Sequence, residues 1–181
     1  LMRLIQQVLE FRKVESGNLK ICVSYGDISS FLRSCAEAFI PLLGKRRQLL
    51  SFESTPDIIF GFFDADKLDK IVYNLLSNAA KYTPEGGQIC VRAALADEYT
   101  LQIDVTNTGE LMTQKTIDGL FKRFYEGDYR RHNTIGTGIG LALVKDLVAL
   151  HHGTIEAFSN EQTGNCFRIM LPVDKETYRQ E

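Results

Sequence analysis

Apolar residues at Leu1, Leu4, Ile5, Val8, Leu9 and, less regularly, Phe11 recur at helical spacing between charged neighbours, which predicts a helix over 1–16. Gly17-Asn18 stops it, as glycine commonly does just past a helix C-terminus. Leu19, Ile21, Val23 and Tyr25 then alternate with polar or small residues, the period-2 signal of a strand. Asp27 or Ser29 can cap a second helix to about Gly44, with Phe31, Leu32, Cys35, Ala36 and Phe39 on its apolar side. Two strands follow over 48–53 and 57–63, divided by Thr55-Pro56. The run Ile58-Ile59-Phe60-Gly61-Phe62-Phe63 within the second reads as a buried strand.

Asp64 or Asp66 opens a long helix to about Tyr82, closed by Thr83-Pro84-Glu85-Gly86-Gly87. Strands over 87–95 and 99–107 pair as a hairpin around Asp97-Glu98. A short helix over 113–120 leads into a polar, glycine-containing stretch from Tyr125 to Thr137. A helix over 138–151 and strands over 154–159 and 166–171 complete the chain. Helices and hairpins are interleaved, so a regular parallel α/β array does not fit.

The 181 residues suit one domain able to bury a core without disulfides or metal staples. A net charge of −2, with only Lys45-Arg46-Arg47 and Arg130-Arg131 as basic runs, argues against a nucleic-acid-binding domain. No apolar stretch reaches the roughly 18 residues of a membrane span. Cys22, Cys35, Cys90 and Cys166 lie far apart without a Cys-x-x-Cys pair, so they read as reduced, mostly buried thiols in a cytosolic domain. A chain opening on Leu1, with neither initiator Met nor signal-peptide pattern, is expected of a piece of something longer.

Three places carry candidate chemistry. Asn74, Asn78 and Lys81 stand at i, i+4 and i+7, one narrow polar stripe on a helix whose other side is Ile71, Val72, Leu75, Leu76 and Ala79. Such a stripe is often only a solvated face, but asparagine is a poor mid-helix residue and two of them one turn apart need a reason. An amide oxygen suits Mg²⁺ and a nearby lysine suits phosphate. Gly136-Thr137-Gly138-Ile139-Gly140-Leu141 is a glycine-rich turn feeding an amphipathic helix. It lacks the spacing of a dinucleotide fingerprint or a P-loop, yet free N–H groups at a helix start favour an anion. A flexible loop with no ligand is the alternative. Val105-Thr106-Asn107-Thr108-Gly109 is a polar exit from a buried strand, in isolation an ordinary Asn/Gly turn.

Taken together, Asn74 to Pro84 resembles the N box of sensor histidine kinases, and Phe121-Lys122-Arg123-Phe124 resembles their F box. Gly136 to Leu141 is similar to their G2 box, Asn107-Thr108-Gly109 stands where the G1 box belongs, and Gly164 to Phe167 resembles the last glycine box. Order and separations match, so the resemblance covers nearly the whole chain.

The resemblance implies an α+β, Bergerat-type ATP-binding fold, an α/β sandwich with a mixed, mostly antiparallel sheet and helices on one face. It implies that residues 17–181 form the catalytic ATP-binding domain, with an ATP lid over about 121–137. Residues 1–16 would be the end of the second dimerisation helix, and the phosphoacceptor histidine would lie outside this chain. By similarity, Asn78 holds Mg²⁺, Asn74 faces the phosphates or their water, Lys81 neutralises phosphate charge and Tyr82 flanks the nucleotide. Asn107, Gly109, Phe124, Gly136, Thr137, Gly138, Gly140 and Leu141 would complete the nucleotide pocket. Arg123, Arg130 and Arg131 are candidates to meet phosphate or the partner histidine domain. Related ATPases carry a water-activating Glu at the position of Asn74; an amide cannot take a proton, so slow intrinsic hydrolysis is expected. The sequence departs from the family in the G1 box, where Asn107 replaces the usual Asp and Leu111 replaces the second glycine.

The implied reaction is transfer of the ATP γ-phosphoryl to a histidine of the dimerisation domain, within two-component signalling. Implied partners are that domain and a response-regulator receiver, with the parent a membrane-anchored homodimer and this domain on the cytoplasmic side. A degenerate nucleotide-binding or regulatory module is the alternative that Asn107 and Leu111 keep open. His132 reads as lid surface, and His151 and His152 as charges at a helix C-terminus.

Overall fold

The computed structural model describes residues 2–17, 19–122 and 140–179. Elements run in the order α1 (Met2–Glu15), β1 (Ser24–Asp27), α2 (Ile28–Glu37), α3 (Ile40–Gly44), β2 (Leu49–Thr55) and β3 (Phe60–Phe63). Then come α4 (Ala65–Tyr82), β4 (Gln88–Asp97), β5 (Thr100–Asn107), α5 (Gln114–Gly119), α6 (Gly140–Leu150), β6 (Thr154–Asn160), β7 (Gly164–Pro172) and a 3₁₀ turn (Glu176–Tyr178).

One sheet has five strands in the order β2-β4-β5-β7-β6, and β1 and β3 form a separate ribbon of two. Within the five, β2 lies parallel to β4 and every other pair is antiparallel. The alternation in β4, β5 and β7 sends Ile89, Val91, Ala93, Leu101, Ile103, Val105, Phe167, Ile169 and Leu171 to one face. There they meet Ile28 and Leu32 of α2, Leu68, Ile71, Leu75 and Leu76 of α4, and Leu143, Val144 and Leu147 of α6 in one core. The α+β expectation, with a mostly antiparallel sheet, is met.

The opposite face is polar, and one row crosses all five strands with alternating sign: Glu53, Arg92, Asp104, Arg168 and Glu156. Arg168 grips Asp104 with both Nε and Nη2, at 2.9 and 3.0 Å, and Arg92 Nε donates to Glu53 at 2.9 Å. Opposite charges as direct cross-strand neighbours suit a face turned to water.

The long helix α4 is fixed at both ends. Asp64 is its N-cap, accepting from the Lys67 N–H at 3.1 Å and from the Cys22 N–H at 2.8 Å. Lys67 Nζ closes the buried pair at 2.9 Å. Burial works to raise the Asp64 carboxyl, but the hydrogen bonds from Lys67 and Cys22 outweigh it and hold it below the ordinary carboxylate value. At the far end, Arg46 Nη1 and Gln48 Nε2 donate to the Ala80 carbonyl, and Gln48 also reaches that of Thr83. These satisfy last-turn carbonyls that have no partner inside the helix.

Several expectations are corrected. Residues 19–23 are irregular, and the strand begins only at Ser24, where it can pair with β3. The second helix breaks after Glu37 and restarts at Ile40 with Pro41 in its first turn, because proline cannot donate within a helix interior. The run around Phe60 is not a buried strand. Gly61 and Phe63 face the core, whereas Ile58 and Phe60 are 60% and 55% exposed, with Phe60 stacked on Tyr25. A two-stranded ribbon has only one face to hide. Of the four thiols, Cys166 alone is buried, Cys35 and Cys90 are half-buried and Cys22 is exposed.

His151 is also corrected. It is no helix-end charge but a buried imidazole, 1% exposed, with Nδ1 donating to the Leu147 carbonyl at 2.8 Å and a buried Nε2 that has no hydrogen-bond partner. Burial pushes its pKa down, keeping it neutral. His152 takes the left-handed position (φ 57°) that ends α6.

Candidate functional site

The stripe on α4 forms as its spacing requires, and burial grades it from within the core outward. Asn74 is 7% exposed, its Nδ2 donating to the Lys70 carbonyl one turn back at 2.7 Å. That bond offsets part of the cost of a mid-helix amide. Its Oδ1 faces the first residue of α6: a Cβ on Gly140 would stand 3.0 Å from it. Only glycine lets the start of α6 come that close to Asn74 without displacing it.

Asn78 and Lys81 are half-buried on the same stripe. Burial pushes the Lys81 ammonium below its ordinary range, and among the described residues no carboxylate answers it. A desolvated cation without a counter-charge is a standing free-energy cost that a bound anion removes. Among the described residues there is also no group of three or more His, Cys, Asp or Glu that could hold a metal by itself. A divalent ion here would rest on an amide oxygen such as that of Asn78 and on the ligand's own phosphates.

The exit of β5 folds against the end of α4. Gly109 takes φ +128°, and a Cβ there would stand 2.9 Å from Pro84 Cδ and 3.2 Å from the Tyr82 carbonyl oxygen. Gly164, at φ +73°, opens β7 opposite, where a Cβ would fall 2.5 Å from the Asn107 carbonyl oxygen. Glycine at both positions follows from the positive φ and from the close approach. Asn107 is 5% exposed, with Nδ2 donating to the Thr108 carbonyl at 3.0 Å. Committing the nitrogen leaves the amide oxygen as the acceptor for a ligand.

The structure thus joins Asn74 to Gly140, Tyr82 and Pro84 to Gly109, and Asn107 to Gly164. Leu141 packs half-buried against the core. Arg123, Phe124, Gly136, Thr137 and Gly138, with most of the expected lid, lie outside the described residues. Leu111, in place of the second G1 glycine, is 37% exposed.

Sequence reasoning missed Gln48 and Arg46, which hold the α4 end, and Asn165, whose side chain spans the loop after Asn107. The only sequence signal for Asn165 was its place beside Gly164. The bonds that give it meaning join residues more than 50 positions apart.

Residues 63–175 match the model of the histidine kinase-, DNA gyrase B- and HSP90-like ATPases. Histidine kinase P4 of Formosa agariphila is 32% identical over 97% of this chain, which covers 13% of that protein. The sensor histidine kinase WalK of Bacillus subtilis is 30% identical over 97% of this chain and 29% of its own length. The chain therefore spans 13% and 29% of the length of these relatives. Among solved structures, the nucleotide-free catalytic domain of histidine kinase ThkA has TM-score 0.77 at 21% identity, covering 87% of this chain and 99% of that one. Full-length ShkA in complex with AMPPNP has TM-score 0.84 at 24% identity, over 95% of this chain and 35% of that one. Over residues 63–175 the family match takes in the α4 stripe, the Asn107 turn and the start of α6 together, so the chain belongs to the histidine kinase-, DNA gyrase B- and HSP90-like ATPase family.

Proposed function

We propose that this domain binds Mg-ATP between α4 and the segment before α6, and donates the γ-phosphoryl to a histidine on a dimerisation domain. The observation that carries this reading is the α4 stripe, where a half-buried Lys81, without an anionic partner among the described residues, follows Asn78 by one turn. Mg-ATP supplies the phosphoryl group and the charge neutralisation; the protein supplies position. Asn78 offers its amide oxygen to the metal, Lys81 its cation to the phosphates, and Asn107 its acceptor to the adenine amino group. Tyr82 and Gly109 shape the wall beside the base, and Gly140 and Leu141 open the helix whose N-terminus favours negative charge.

Asn74 cannot accept a proton from water, so bound ATP stays intact until an acceptor arrives. Arg123, Phe124, Gly136, Thr137 and Gly138 belong, in this reading, to the lid over the phosphates.

The acceptor domain would continue from α1, on which Ile5, Val8 and Leu9 are 50%, 42% and 55% exposed. Such an apolar side on a charged helix suits packing against further helices. Glu10 of α1 pairs with Lys70 of α4, tying that helix to the catalytic domain. Downstream transfer to a receiver domain is supported by ThkA, solved in complex with the response regulator TrrA. No described helix is long and apolar enough to cross a membrane, so attachment to one would come from other parts of a parent kinase.

The test mixes this domain with a dimerisation-domain polypeptide and radiolabelled ATP. Acid-labile label on the acceptor is expected. Absence of label where ATP binding is demonstrated overturns the kinase reading in favour of a regulatory module. Asn78→Ala should weaken ATP binding with Mg²⁺ present and leave binding in EDTA nearly unchanged, measured by calorimetry.

A further inference from the structure

The turn after Asn107 is held at its near end by Gln88 of β4, whose carbonyl accepts from the Thr108 N–H at 3.0 Å and whose N–H donates to Thr108 Oγ1 at 2.9 Å, and at its far end by side chains of β6 and β7. Asn165 sits directly across from Asn107 in the β5–β7 register and is 3% exposed. Its Nδ2 donates to the Glu110 carbonyl at 2.9 Å, and its Oδ1 accepts from the Met112 N–H at 3.0 Å. Ser159 of β6 donates to the same Oδ1 at 2.7 Å and accepts from the Met112 N–H at 3.1 Å. The amide therefore clamps the backbone on both sides of Leu111, and Ser159 fixes which way the amide is turned.

The clamp bears on Asn107 through one further bond. Asn107 Nδ2 is committed to the Thr108 carbonyl, inside the turn that Asn165 holds. While that carbonyl stays in place, the Asn107 amide presents oxygen and favours a base with an amino donor. If the turn moves, the amide can rotate and present nitrogen, which suits the O6 acceptor of guanine instead. We propose that Asn165 is a positioning residue for base selection: with the N–H and hydroxyl of Thr108 tied to Gln88, Asn165 holds the far end of the turn, and so sets the direction of the Thr108 carbonyl and of the Asn107 amide bonded to it.

This inference rests on Asn107 meeting the base, and the experiment separates the two. Affinities for ATP and GTP are measured by calorimetry on the whole domain for wild type, Asn107→Ala, Asn165→Ala, Asn165→Asp and Leu111→Gly, with thermal unfolding run beside them. Asn165→Ala should weaken ATP about five- to tenfold and leave GTP nearly unchanged, so the preference for ATP collapses. Asn165→Asp keeps the acceptor for Met112 but loses the donor to Glu110, and should fall between. Leu111→Gly loosens the same turn and should matter little with Asn165 present but strongly when combined with Asn165→Asp, and Asn165→Asp carries the test if Asn165→Ala folds poorly.

A purely structural role lowers the unfolding temperature, or weakens both nucleotides equally, with the ATP:GTP ratio unchanged; that result overturns the proposal. If Asn107→Ala leaves both affinities and their ratio at wild-type values, the base contact itself is wrong and the proposal falls with it.

Discussion

Asn107→Asp restores the acidic residue that the histidine kinase family usually carries in its G1 box, and the structure gives it two opposed effects. The exchange replaces Nδ2, which donates to the Thr108 carbonyl at 3.0 Å, by an oxygen that cannot donate. Losing that bond costs about 1 kcal/mol, and turning a carboxylate toward a carbonyl at a position 5% exposed adds about 1–2 kcal/mol. For a chain of this length the sum, about 2–3 kcal/mol, lowers the unfolding temperature by roughly 4–12 °C. A carboxylate also gives the adenine amino group a charge-assisted hydrogen bond, a gain of about 1 kcal/mol or near fivefold in affinity. It cannot rotate to offer a donor to guanine, so discrimination against GTP should sharpen. Differential scanning fluorimetry without ligand and calorimetric titration with ATP and GTP measure both. An unfolding temperature at or above wild type would show that the amide nitrogen is not committed to Thr108. An unchanged ATP:GTP ratio would show that position 107 does not face the base.

Lys81→Met should weaken ATP at least tenfold while leaving the free domain as stable or slightly more stable, because a desolvated, unanswered cation is removed. A variant clearly less stable to urea would contradict that account. ATP affinity should also fall as pH rises through the depressed Lys81 pKa of the free domain, a fall that Lys81→Met should lack. The folded-state pKa of His151 is pushed below its ordinary 6.5 by burial, so the unfolded chain takes up the proton first. Stability is then full above about pH 6.5 and falls toward pH 5, by up to about 1.4 kcal/mol per pH unit. His151→Gln should flatten that window in urea titrations, leaving the acid loss of Asp64, which begins only near pH 4.

The sequence by itself determined most of what depends on spacing along one element. The α4 stripe, the Asp64 cap, the glycine turns and the order of helices and strands are periodic or local signals, and each fixes backbone conformation within a few residues. The motif order from Asn74 to Phe167 was legible for the same reason. Burial and pairing were decided only in three dimensions. Ile58 and Phe60 are as apolar as any core residue, yet they face water because β3 pairs with β1 in a ribbon covered on one side only. His151 has the sequence place of a helix-end charge, yet α6 ends inside the fold, where the Tyr178 hydroxyl donates to the His151 carbonyl. Asn165 owes its hold on the Asn107 turn to bonds across β5, β6 and β7. Such contacts join distant positions through sheet register, which no local pattern encodes, and the register itself is set by which faces of seven strands find a common core.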